Sequence, residues 1–368
     1  MTDPRATCRT VSALSTATVA GLARLLGVRH PLLLAPMAGA ADEALAIAVA
    51  RAGGLGALPC AMLDAGTLRA QVERFRAAVD APLNLNFFCH AEPPADAARQ
   101  ARWRERLAPY YDALGLTGDE RADAARRRPF DEAACAGVEA LRPEVVSFHF
   151  GLPASSLVAR VKAGGARVLG CATTVDEARW LAARGCDAII AQGWEAGGHR
   201  GSFLDTGTTT QPGLFALLPQ VVDAVAVPVI AAGGIGDARG IRAALELGAA
   251  GVQLGTAFLL SDESRIRPVH RAALQSPRAG RTAVTNLFSG RPARGIVNRL
   301  MQELGPMSDD APAFPTAGAA LAPLRARTEP HGIDDFVNLW AGEAAPLART
   351  GPAGTIARDL IDAAFEPS

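Results

Sequence analysis

The sequence is poor in lysine and tyrosine, and it lacks the features that mark several classes of protein. Lys162 is the only lysine in 368 residues, and 37 basic residues balance 37 acidic ones. Because no basic block is present, we expect neither nucleic acid nor an anionic membrane as a partner. We interpret the richness in arginine and alanine as an effect of genome composition, without a role in binding.

The six cysteines are scattered along the chain, without a Cys-x-x-Cys pair or cysteine–histidine zinc spacing. We therefore expect no metal site, and reduced thiols in a cytoplasmic protein, with Cys60, Cys171 and Cys186 serving as small apolar side chains. No apolar run reaches the roughly 18 residues of a membrane span. The chain begins without an apolar signal core, although Arg5 and Arg9 are present, so we expect a frayed start before a helix near 18–27.

Eight short β-type runs alternate with alanine-rich segments of helical period. The runs are 32–36, 55–58, 83–88, 145–150, 167–171, 188–192, 229–232 and 251–255, and the clearest helices between them are 42–52, 65–79, 155–163, 175–184 and 237–247. Such alternation indicates parallel strands with helical crossovers. The count of eight, and the polar or glycine-rich residues after nearly every strand, favour an α/β fold of the (β/α)8 TIM-barrel type over a doubly wound open sheet.

Two segments are longer than ordinary connections. Residues 91–142, after the third strand, are predicted to form a helical insertion, and the basic run at 126–128 is interpreted as a solvated helix face. Residues 263–328, rich in proline, arginine and glycine, are predicted to form a small cap subdomain for the substrate, followed by a closing helix near 334–345. The barrel would then comprise residues 1–262 plus 329–368.

One block after the sixth strand, Gln-Gly-Trp-Glu-Ala-Gly-Gly-His-Arg-Gly at 192–201, carries the strongest chemical signal. Its glycines allow the backbone to approach a planar ligand closely, and His199 is suited to moving protons near neutral pH. We predict the floor of an active site, the alternative being a glycine-rich turn with a surface histidine. Glu195 either orients a neighbouring group or forms a salt bridge with Arg200 or another arginine.

The loops after the last two strands predict a phosphate site. They contain Gly233 and Gly234, and then Gly255 and Thr256. Barrels often bind phosphate at these two loops through backbone N–H groups and a helix N-terminus, although Gly-Gly-Ile-Gly alone is equally typical of a tight turn. The context of a Rossmann fingerprint is missing, so a mononucleotide such as FMN fits better than a dinucleotide.

Other strand ends offer groups for a flat ring. Pro36 and Met37 end the first strand, and methionine provides a polarizable surface. In the third strand, alternation places Asn84 and Asn86 on one side, and Gln192 ends the sixth. These amides either bond the polar edge of an isoalloxazine or bond only to backbone.

Together these blocks resemble the nitronate monooxygenase family, the 2-nitropropane dioxygenase-like enzymes, over nearly the whole chain. The block Gln-Gly-x-Glu-Ala-Gly-Gly-His-x-Gly is highly specific, and Ala-Gly-Gly-Leu-Gly at 52–56 and Ser-Phe-His-Phe-Gly at 147–151 add to it. The resemblance implies an FMN-dependent enzyme that oxidises alkyl nitronates, such as propionate 3-nitronate, with O₂ to a carbonyl compound and nitrite. It implies cofactor contacts at Pro36, Met37, Asn86, Gln192, Gly197, Gly198, Gly233, Gly234, Gln253, Leu254, Gly255 and Thr256.

His199 matches the catalytic histidine of that family. It would hold the nitronate against the flavin, where N–H donors or a protonated imidazole stabilise the nitro oxygens, or it would deprotonate a neutral nitroalkane. His149, ending the fourth strand, is the second catalytic candidate, unless it is a buried histidine bonded to a carbonyl. His90 is interpreted as structural or neutral.

The chain departs from the family pattern mildly at Asn86-Phe87-Phe88, where Asn-Leu-Phe is common, and again in the cap. Two interpretations stay open for Ser289, Arg291 and Arg294 in the cap. Either these residues contact an anionic substrate, or the two arginines pair with carboxylates inside the protein. Both tyrosines, Tyr110 and Tyr111, lie in the insertion. The active-site tyrosines that some family members have in the cap are therefore without a counterpart.

Two other functions stay open from the sequence. One is an FMN-dependent enoyl-acyl-carrier-protein reductase using NAD(P)H, which shares the barrel and a similar Glu-Ala-Gly-Gly-His stretch; Gln192 and the block at 147–151 favour the monooxygenase. The other is a non-catalytic FMN- or phosphate-binding barrel. The expected partners are a small nitronate or nitroalkane and O₂, and a homodimer is left open.

Overall fold

A computed structural model describes residues 18–117 and 127–365. The expectations for the frayed start, Cys8 and Arg126 lie outside these residues. Eight parallel strands form the main sheet: β1 (Leu32–Leu34), β2 (Gly56–Pro59), β3 (Leu83–Phe88), β4 (Val145–His149), β5 (Arg167–Ala172), β6 (Ala188–Gln192), β8 (Val229–Ala232) and β9 (Gly251–Leu254). A second sheet contains β7 (Gly198–His199), β10 (Thr282–Thr285) and β11 (Ala293–Ile296).

The main sheet closes into the predicted TIM barrel. Its order is β1-β9-β8-β6-β5-β4-β3-β2, with each strand parallel to its neighbours. A parallel bridge between Leu33 and Leu55 joins the first and second strands, where Leu34 N donates to Leu55 O at 2.9 Å. The eight predicted strands are confirmed: three have the predicted bounds, and the ends of the others differ by one or two residues.

Helices cover the outside of the barrel and build the additions at its mouth. They are α1 (residues 18–26), α2 (Glu43–Arg51), α3 (Ala65–Ala78), α4 (Ala97–Ala113), α5 (Glu132–Leu141), α6 (Ser155–Ala163), α7 (Val175–Ala183), α8 (Leu214–Ala224), α9 (Ala238–Glu246), α10 (Pro268–Leu274), α11 (Arg299–Leu304), α12 (Ala322–Thr328) and α13 (Ala353–Phe365). Short 3₁₀ turns are Cys60–Met62, Thr256–Phe258, Pro277–Gly280, Ala317–Ala319, Glu329–His331 and Ala345–Leu347.

Side-chain caps begin several of these helices where the sequence predicts them. Asp42 accepts from Ala44 N at 2.9 Å and Asp237 accepts from Arg239 N at 2.9 Å. Because aspartate satisfies an otherwise unbonded N–H of the first turn, these residues end the preceding loop and begin the helix. All five predicted helices between strands are present, and each end lies within one residue of its expected position.

The barrel interior is filled from its amino-terminal end. Leu33, Ile190 and Ile230 point inward and form one buried cluster with Leu22 and Leu26 of α1. The alternate strand residues point outward into the larger cluster under the helices. The helix α1 closes the amino-terminal end of the barrel. A ligand is therefore expected at the opposite end, where the strands have their carboxyl ends.

The insertion after β3 and the segment after β9 share a second core. Trp103, Leu107 and Tyr110 of α4 pack with a buried set from the later segment that includes Phe288 and Leu324. The Trp103 indole N–H donates to Ala317 O at 3.1 Å. Two connections far apart in sequence therefore form one wall above the barrel mouth.

Two predictions of local structure are wrong. Residues 334–345 do not form a closing helix; α13 fills that role. The backbone of this segment bonds to the mouth loops instead: Gly342 N donates to Thr256 Oγ1 at 3.0 Å and Glu343 N donates to Glu195 O at 3.0 Å. Arg127 and Arg128 are not helical either, and Arg127 is half-buried instead of facing solvent on a helix.

Of the helices within residues 18–117 and 127–365, none is long and apolar enough to cross a membrane.

Candidate active site

A cavity of about 390 Å³ lies at the carboxyl ends of the barrel strands. Its floor is formed by the ends of β1, β3, β4, β6, β8 and β9, and its roof by residues between 266 and 344. Arg127, Arg267 and Arg325 are the charged residues among its described lining, which contains no carboxylate. The cavity therefore favours an anionic ligand.

His199 is held in this cavity at its backbone and at its ring. It lies on β7, which pairs with β11 so that His199 is opposite Ala293. Its carbonyl oxygen accepts from Gln192 Nε2 at 3.0 Å and lies 3.3 Å from His149 Nε2. Its own Nε2 lies 3.0 Å from the hydroxyl oxygen of Ser289. These contacts leave Nδ1 as the ring nitrogen available to a ligand.

The surroundings keep both site histidines neutral. Burial, followed by the charge of Arg127, lowers the pKa of His199 well below its usual value. Burial also lowers the pKa of His149 to about 3, with Arg291 adding to the effect. A neutral imidazole near pH 7 can donate or accept one hydrogen bond, so this geometry disfavours the protonated imidazole considered from the sequence.

Three phenylalanines form an apolar wall around the His199 ring. The ring centroids of Phe88, Phe150 and Phe314 lie 6.3, 6.1 and 5.3 Å from that of His199. Phe150 has φ +70°, a conformation that a bulky side chain rarely adopts, and the Arg291 guanidinium lies 4.0 Å from its ring centroid. This wall shields one side of the site from water.

Another part of the cavity lining is rich in glycine. Gly233 and Gly234 have φ +105° and +69°, and a Cβ on Gly233 would lie 2.9 Å from Ala196. Gly198 has φ +71° with no heavy atom within 4 Å of where its Cβ would lie. The buried Gln253 Oε1 lacks a hydrogen-bond partner among the described residues. Backbone donors exposed by glycines and an unused amide oxygen suit a phosphate and a polar ring edge.

Nearly all residues predicted to hold the cofactor line this cavity. They are Pro36, Met37, Asn86, Gln192, Gly197, Gly198, Gly233, Gly234, Gln253, Gly255 and Thr256, together with both histidines His149 and His199. Leu254 is the exception: it is buried in the outer core, since successive strand residues face opposite sides. Asn84 is 1 % exposed and lies outside the lining, so its amide is not placed for a ligand there.

Two of the lining amides, Asn86 and Gln192, are partly engaged by the protein. Asn86 Nδ2 donates to Ser147 Oγ at 2.9 Å, and Gln192 Oε1 accepts from Gly201 N at 2.8 Å. The structure is therefore compatible with both expected roles of these amides, which were to bond the polar edge of an isoalloxazine or to bond the backbone. Asn86 keeps its oxygen for a ligand, and Gln192 stabilises the block that carries His199.

Glu195 orients an element instead of pairing with Arg200. Its carboxylate oxygens accept from Leu214 N at 2.9 and 2.8 Å, at the first residue of α8. Arg200 is fully buried and donates to Gln211 Oε1 at 2.7 Å and to Gln192 O at 3.0 Å. A negative charge at a helix N-terminus is stabilising, so Glu195 has a structural use outside the cavity lining.

The three cap residues singled out in the sequence contact protein groups. Ser289 contacts His199, and Arg291 donates to Ser202 O. Arg294 pairs with Glu343 at 3.0 Å, which is the internal arginine–carboxylate pairing left open above. His90 is 6 % exposed and lies outside the cavity lining, and burial lowers its pKa to about 4.

Sequence reasoning missed the cationic and aromatic part of the cavity. Arg127, Arg325 and Trp340 line it, and Phe314 contacts the His199 ring, yet none follows a barrel strand. Arg127, Arg325 and Phe314 come from the two long connections, where no periodic pattern indicates which side chains point toward the barrel, and Trp340 comes from the segment 334–345 that was predicted to be helical. The only available signal was the arginine content of those segments.

The five cysteines within the described residues contribute no second reactive group to the site. Cys60, Cys89, Cys135, Cys171 and Cys186 are free thiols, and burial raises the pKa of Cys171 to about 12. Such thiols are unreactive near neutral pH. Within the described residues, no group of three or more histidine, cysteine, aspartate or glutamate side chains could hold a metal ion.

Comparisons with known proteins agree on one family. The sequence profile described as "Nitronate monooxygenase" matches residues 20–363. A nitronate monooxygenase of Pseudomonas aeruginosa is 42% identical over 341 residues, covering 92% of this chain and 97% of the relative. One from Paraburkholderia phytofirmans is also 42% identical, covering 91% and 92%.

Solved structures are similar over the same length. Nitroalkane oxidase from Streptomyces ansochromogenes superposes with a TM-score of 0.84 at 37% identity, covering 94% of this chain and 98% of its own. FabK from Thermotoga maritima has a TM-score of 0.69 at 27% identity, covering 94% and 96%. The likeness to FabK is the weaker of the two.

Proposed function

Because the chain belongs to the nitronate monooxygenase family, we propose that its barrel-mouth cavity binds FMN and an alkyl nitronate side by side. The protein is an oxidoreductase of that family. The observation that supports the proposal best is that His199 and the glycine cradle at 233–234 line one cavity. The His199 imidazole, which can transfer a proton, and the glycines proposed to bind the phosphate would then contact one bound flavin and its substrate.

We assign the cofactor to the glycine-rich side of the cavity. Gly233, Gly234, Gly255 and Thr256 would bind the phosphate, with Gln253 facing the flavin. Met37, Pro36, Asn86, Gln192, Gly197 and Gly198 line the remainder of that side. When bound, FMN supplies the redox chemistry by which a nitronate is oxidised with O₂ to a carbonyl compound and nitrite.

The Ser289 hydroxyl decides what His199 can do. If its proton is donated to His199 Nε2, the ring carries its own proton on Nδ1, which can hydrogen-bond an anionic nitronate oxygen. If it is donated instead to Arg291 O, at 3.2 Å, Nε2 keeps the ring proton and Nδ1 becomes an acceptor. The first arrangement positions a nitronate, and the second lets Nδ1 remove the proton of a neutral nitroalkane.

The remaining residues position His199 and exclude water. Gln192 and His149 both contact the His199 carbonyl oxygen, which fixes the backbone of β7. Phe88, Phe150 and Phe314 shield the ring, so hydrogen bonds made there are stronger than in water. We assign His199 the catalytic role and His149 a supporting one.

The test of this function uses the His199→Asn variant purified with FMN bound. We expect at least about a hundredfold loss of kcat/KM with neutral nitropropane, since a catalytic acid–base group contributes 10²–10⁴. With propyl nitronate, for which His199 supplies one hydrogen bond and removes no proton, we expect a smaller loss of about tenfold. The matched control is His331→Asn at an exposed histidine. Unchanged rates with both substrates would remove His199 from the mechanism.

The reductase is retained as the second candidate because of the likeness to FabK. It would need NAD(P)H, whereas nitronate oxidation would not. Rapid bleaching of the flavin on anaerobic mixing with NADPH would favour the reductase. A holoprotein that is inert to NADPH but consumes O₂ with a nitronate supports the monooxygenase.

We further propose residues 263–328 as the substrate cap of the barrel 1–262 plus 329–368, in a cytoplasmic enzyme. The contact between Ser289 and His199 supports the first assignment. The five free cysteines support the second, because thiols remain reduced in the cytosol.

A further inference from the structure

A third histidine lines the cavity, and one of its ring nitrogens lacks a hydrogen-bond partner. His270, on α10, is 8 % exposed and belongs to the cavity lining. Its Nε2 is buried and has no partner within residues 18–117 and 127–365. The ring does bond to the backbone of Trp340, and this bond involves Nδ1 because Nε2 is unpartnered. Buried polar atoms are nearly always hydrogen-bonded, so this Nε2 indicates a partner that a bound ligand supplies.

The surroundings of His270 make Nε2 a hydrogen-bond acceptor. Burial lowers the pKa of His270 to about 4, so the ring is neutral near pH 7 and carries one proton. The charges of Arg267 and Arg271 lower the pKa as well, and that of Asp334 raises it. The bond to Trp340 also raises the pKa, as a bond that the ring donates does, so the proton is on Nδ1. Nε2 then offers only a lone pair, and its partner has to be a donor.

Backbone contacts place His270 beside the loop assigned to the cofactor phosphate. Two residues after Trp340, Gly342 N donates to Oγ1 of Thr256 in that loop at 3.0 Å. Leu259, buried in one cluster with residues of α10, donates its N–H to Thr256 O at 3.1 Å. The amides expected at the polar edge of the flavin come from β3 and β6, which do not adjoin β9 in the barrel. His270 is therefore at the phosphate end of the proposed cofactor site, away from the polar ring edge.

The ribityl chain is the part of FMN that suits an acceptor at this place. Phosphate oxygens accept hydrogen bonds themselves, so they do not suit a nitrogen that offers a lone pair. The ribityl chain joins the phosphate to the ring, and its hydroxyl groups can donate. We propose that Nε2 of His270 accepts a hydrogen bond from a ribityl hydroxyl of FMN. The inference depends on the proposed function, and it makes the segment 263–328, proposed as the substrate cap, part of the cofactor site as well.

Flavins that differ in the chain on their ring test this contact in the full-length protein freed of bound flavin. Lumiflavin lacks the ribityl chain, riboflavin has it, and FMN adds the phosphate. His270→Asn keeps a donor near the position of Nδ1 but has no group at that of Nε2. We therefore expect it to raise the Kd about tenfold for riboflavin and for FMN, through the loss of one buried hydrogen bond, and to leave the Kd of lumiflavin unchanged.

Two further variants serve as rescue and control. His270→Gln reaches the position of Nε2 with its amide oxygen and should restore much of the affinity for riboflavin. His331→Asn removes an exposed histidine and should change the Kd of none of these flavins. Quenching of flavin fluorescence measures each Kd, and the melting temperature of every variant is compared with that of the wild type. If His270→Asn does not fold, His270→Phe, which fills the space of the ring without an acceptor, gives the same comparison.

The outcomes separate this proposal from the function beneath it. If the wild type binds none of the flavins, the proposed function fails. If it binds FMN but His270→Asn leaves the Kd of riboflavin within about twofold of the wild type, the ribityl contact is wrong while FMN binding stands. A loss for FMN alone would place His270 at the phosphate, and an equal loss for lumiflavin would indicate damage to the whole site; both overturn the proposal. A higher Kd for riboflavin and FMN, but not for lumiflavin, supports it.

Discussion

At the scale of single residues, the site depends on what each side chain bonds to besides the ligand. His199 is held at two points: Ser289 contacts its ring Nε2, and Gln192 contacts its carbonyl oxygen. Ser289 is fully buried, so its hydroxyl proton has only His199 and Arg291 O as acceptors among the described residues. A small hydroxyl group thereby controls the tautomer of the proposed catalytic ring.

We predict that Ser289→Ala lowers kcat for a nitronate about tenfold, because the loss of one buried hydrogen bond contributes roughly 1–1.5 kcal/mol. KM should change less, since the serine does not line the cavity. The relative rate with neutral nitroalkane should change as well, because the tautomer is no longer controlled.

Steady-state assays of Ser289→Ala, Ser289→Thr and Ser276→Ala check this prediction. Threonine keeps the hydroxyl and should restore much of kcat. Ser276 is a control in the same cap, where its hydroxyl donates to Ala273 O at 2.8 Å. A kcat for Ser289→Ala within twofold of the wild type would contradict the positioning role.

Single-residue predictions from the sequence succeed where the backbone itself imposes the residue type. Gly233 and Gly234 adopt positive φ, a conformation that favours glycine, so two consecutive glycines in the sequence indicate it. Arg127 could not be identified in this way. Nothing in a run of basic residues distinguishes the one that turns into the cavity from Arg128, which is exposed.

At the scale of elements, the site is built where the strands end and the chain must turn. The loop after β8 approaches the 192–201 block so closely that a Cβ on Gly233 would lie 2.9 Å from Ala196 N. A larger residue would displace the loop from the position that a phosphate requires.

We therefore predict that Gly233→Ala reduces FMN binding at least about tenfold, because φ +105° is strained for alanine and the loop must shift. The flavin absorbance of purified protein and the Kd for added FMN measure the effect. Gly248→Ala is the matched control, with φ +96° and a Cβ 3.0 Å from Val222, away from the cavity. Equal flavin loss in both variants would indicate general destabilisation and contradict the cradle.

Helices and strands could be predicted from the sequence where the local residue pattern and the tertiary packing favour the same structure. The helix after Asp237 begins at its aspartate cap and presents a clear apolar face. The segment 334–345 has enough apolar residues for a helix, yet its N–H groups bond to Thr256 and Glu195. Those partners are distant in sequence, so no local pattern indicates them.

At the scale of the whole molecule, four histidines are kept neutral by burial. The pKa is lowered to about 4 for His90 and His270, to about 3 for His149, and well below its usual value for His199. Three of them, His149, His199 and His270, line the proposed reaction cavity, so groups that affect stability also lie at the site.

The sign of the resulting pH effect follows from the unfolded chain. Its histidines bind protons below a pH of about 6.5, whereas the buried ones stay neutral until the pH approaches their lowered values. The unfolded state then holds more protons, so stability is full above pH 6.5 and is lost as the pH falls. We predict that the free energy of unfolding decreases by several kcal/mol between pH 7.5 and pH 5, at up to about 2 kcal/mol for each histidine.

Urea unfolding of the holoprotein at both pH values measures this decrease. His270→Asn should reduce the pH dependence by about one histidine's share, because one lowered group is removed. A free energy of unfolding that is equal at pH 5 and pH 7.5 would contradict the prediction.

The sequence by itself predicted the barrel, the eight strands that form it, and the glycine and histidine positions at its mouth. These follow from periodicity and from backbone requirements that act over a few residues. The tertiary structure alone decided that the insertion and the cap share a core, that Ser289 meets His199, and that Arg127 and Arg325 line the cavity. Those contacts join residues far apart in the chain, and packing over such separations leaves no local pattern in the sequence.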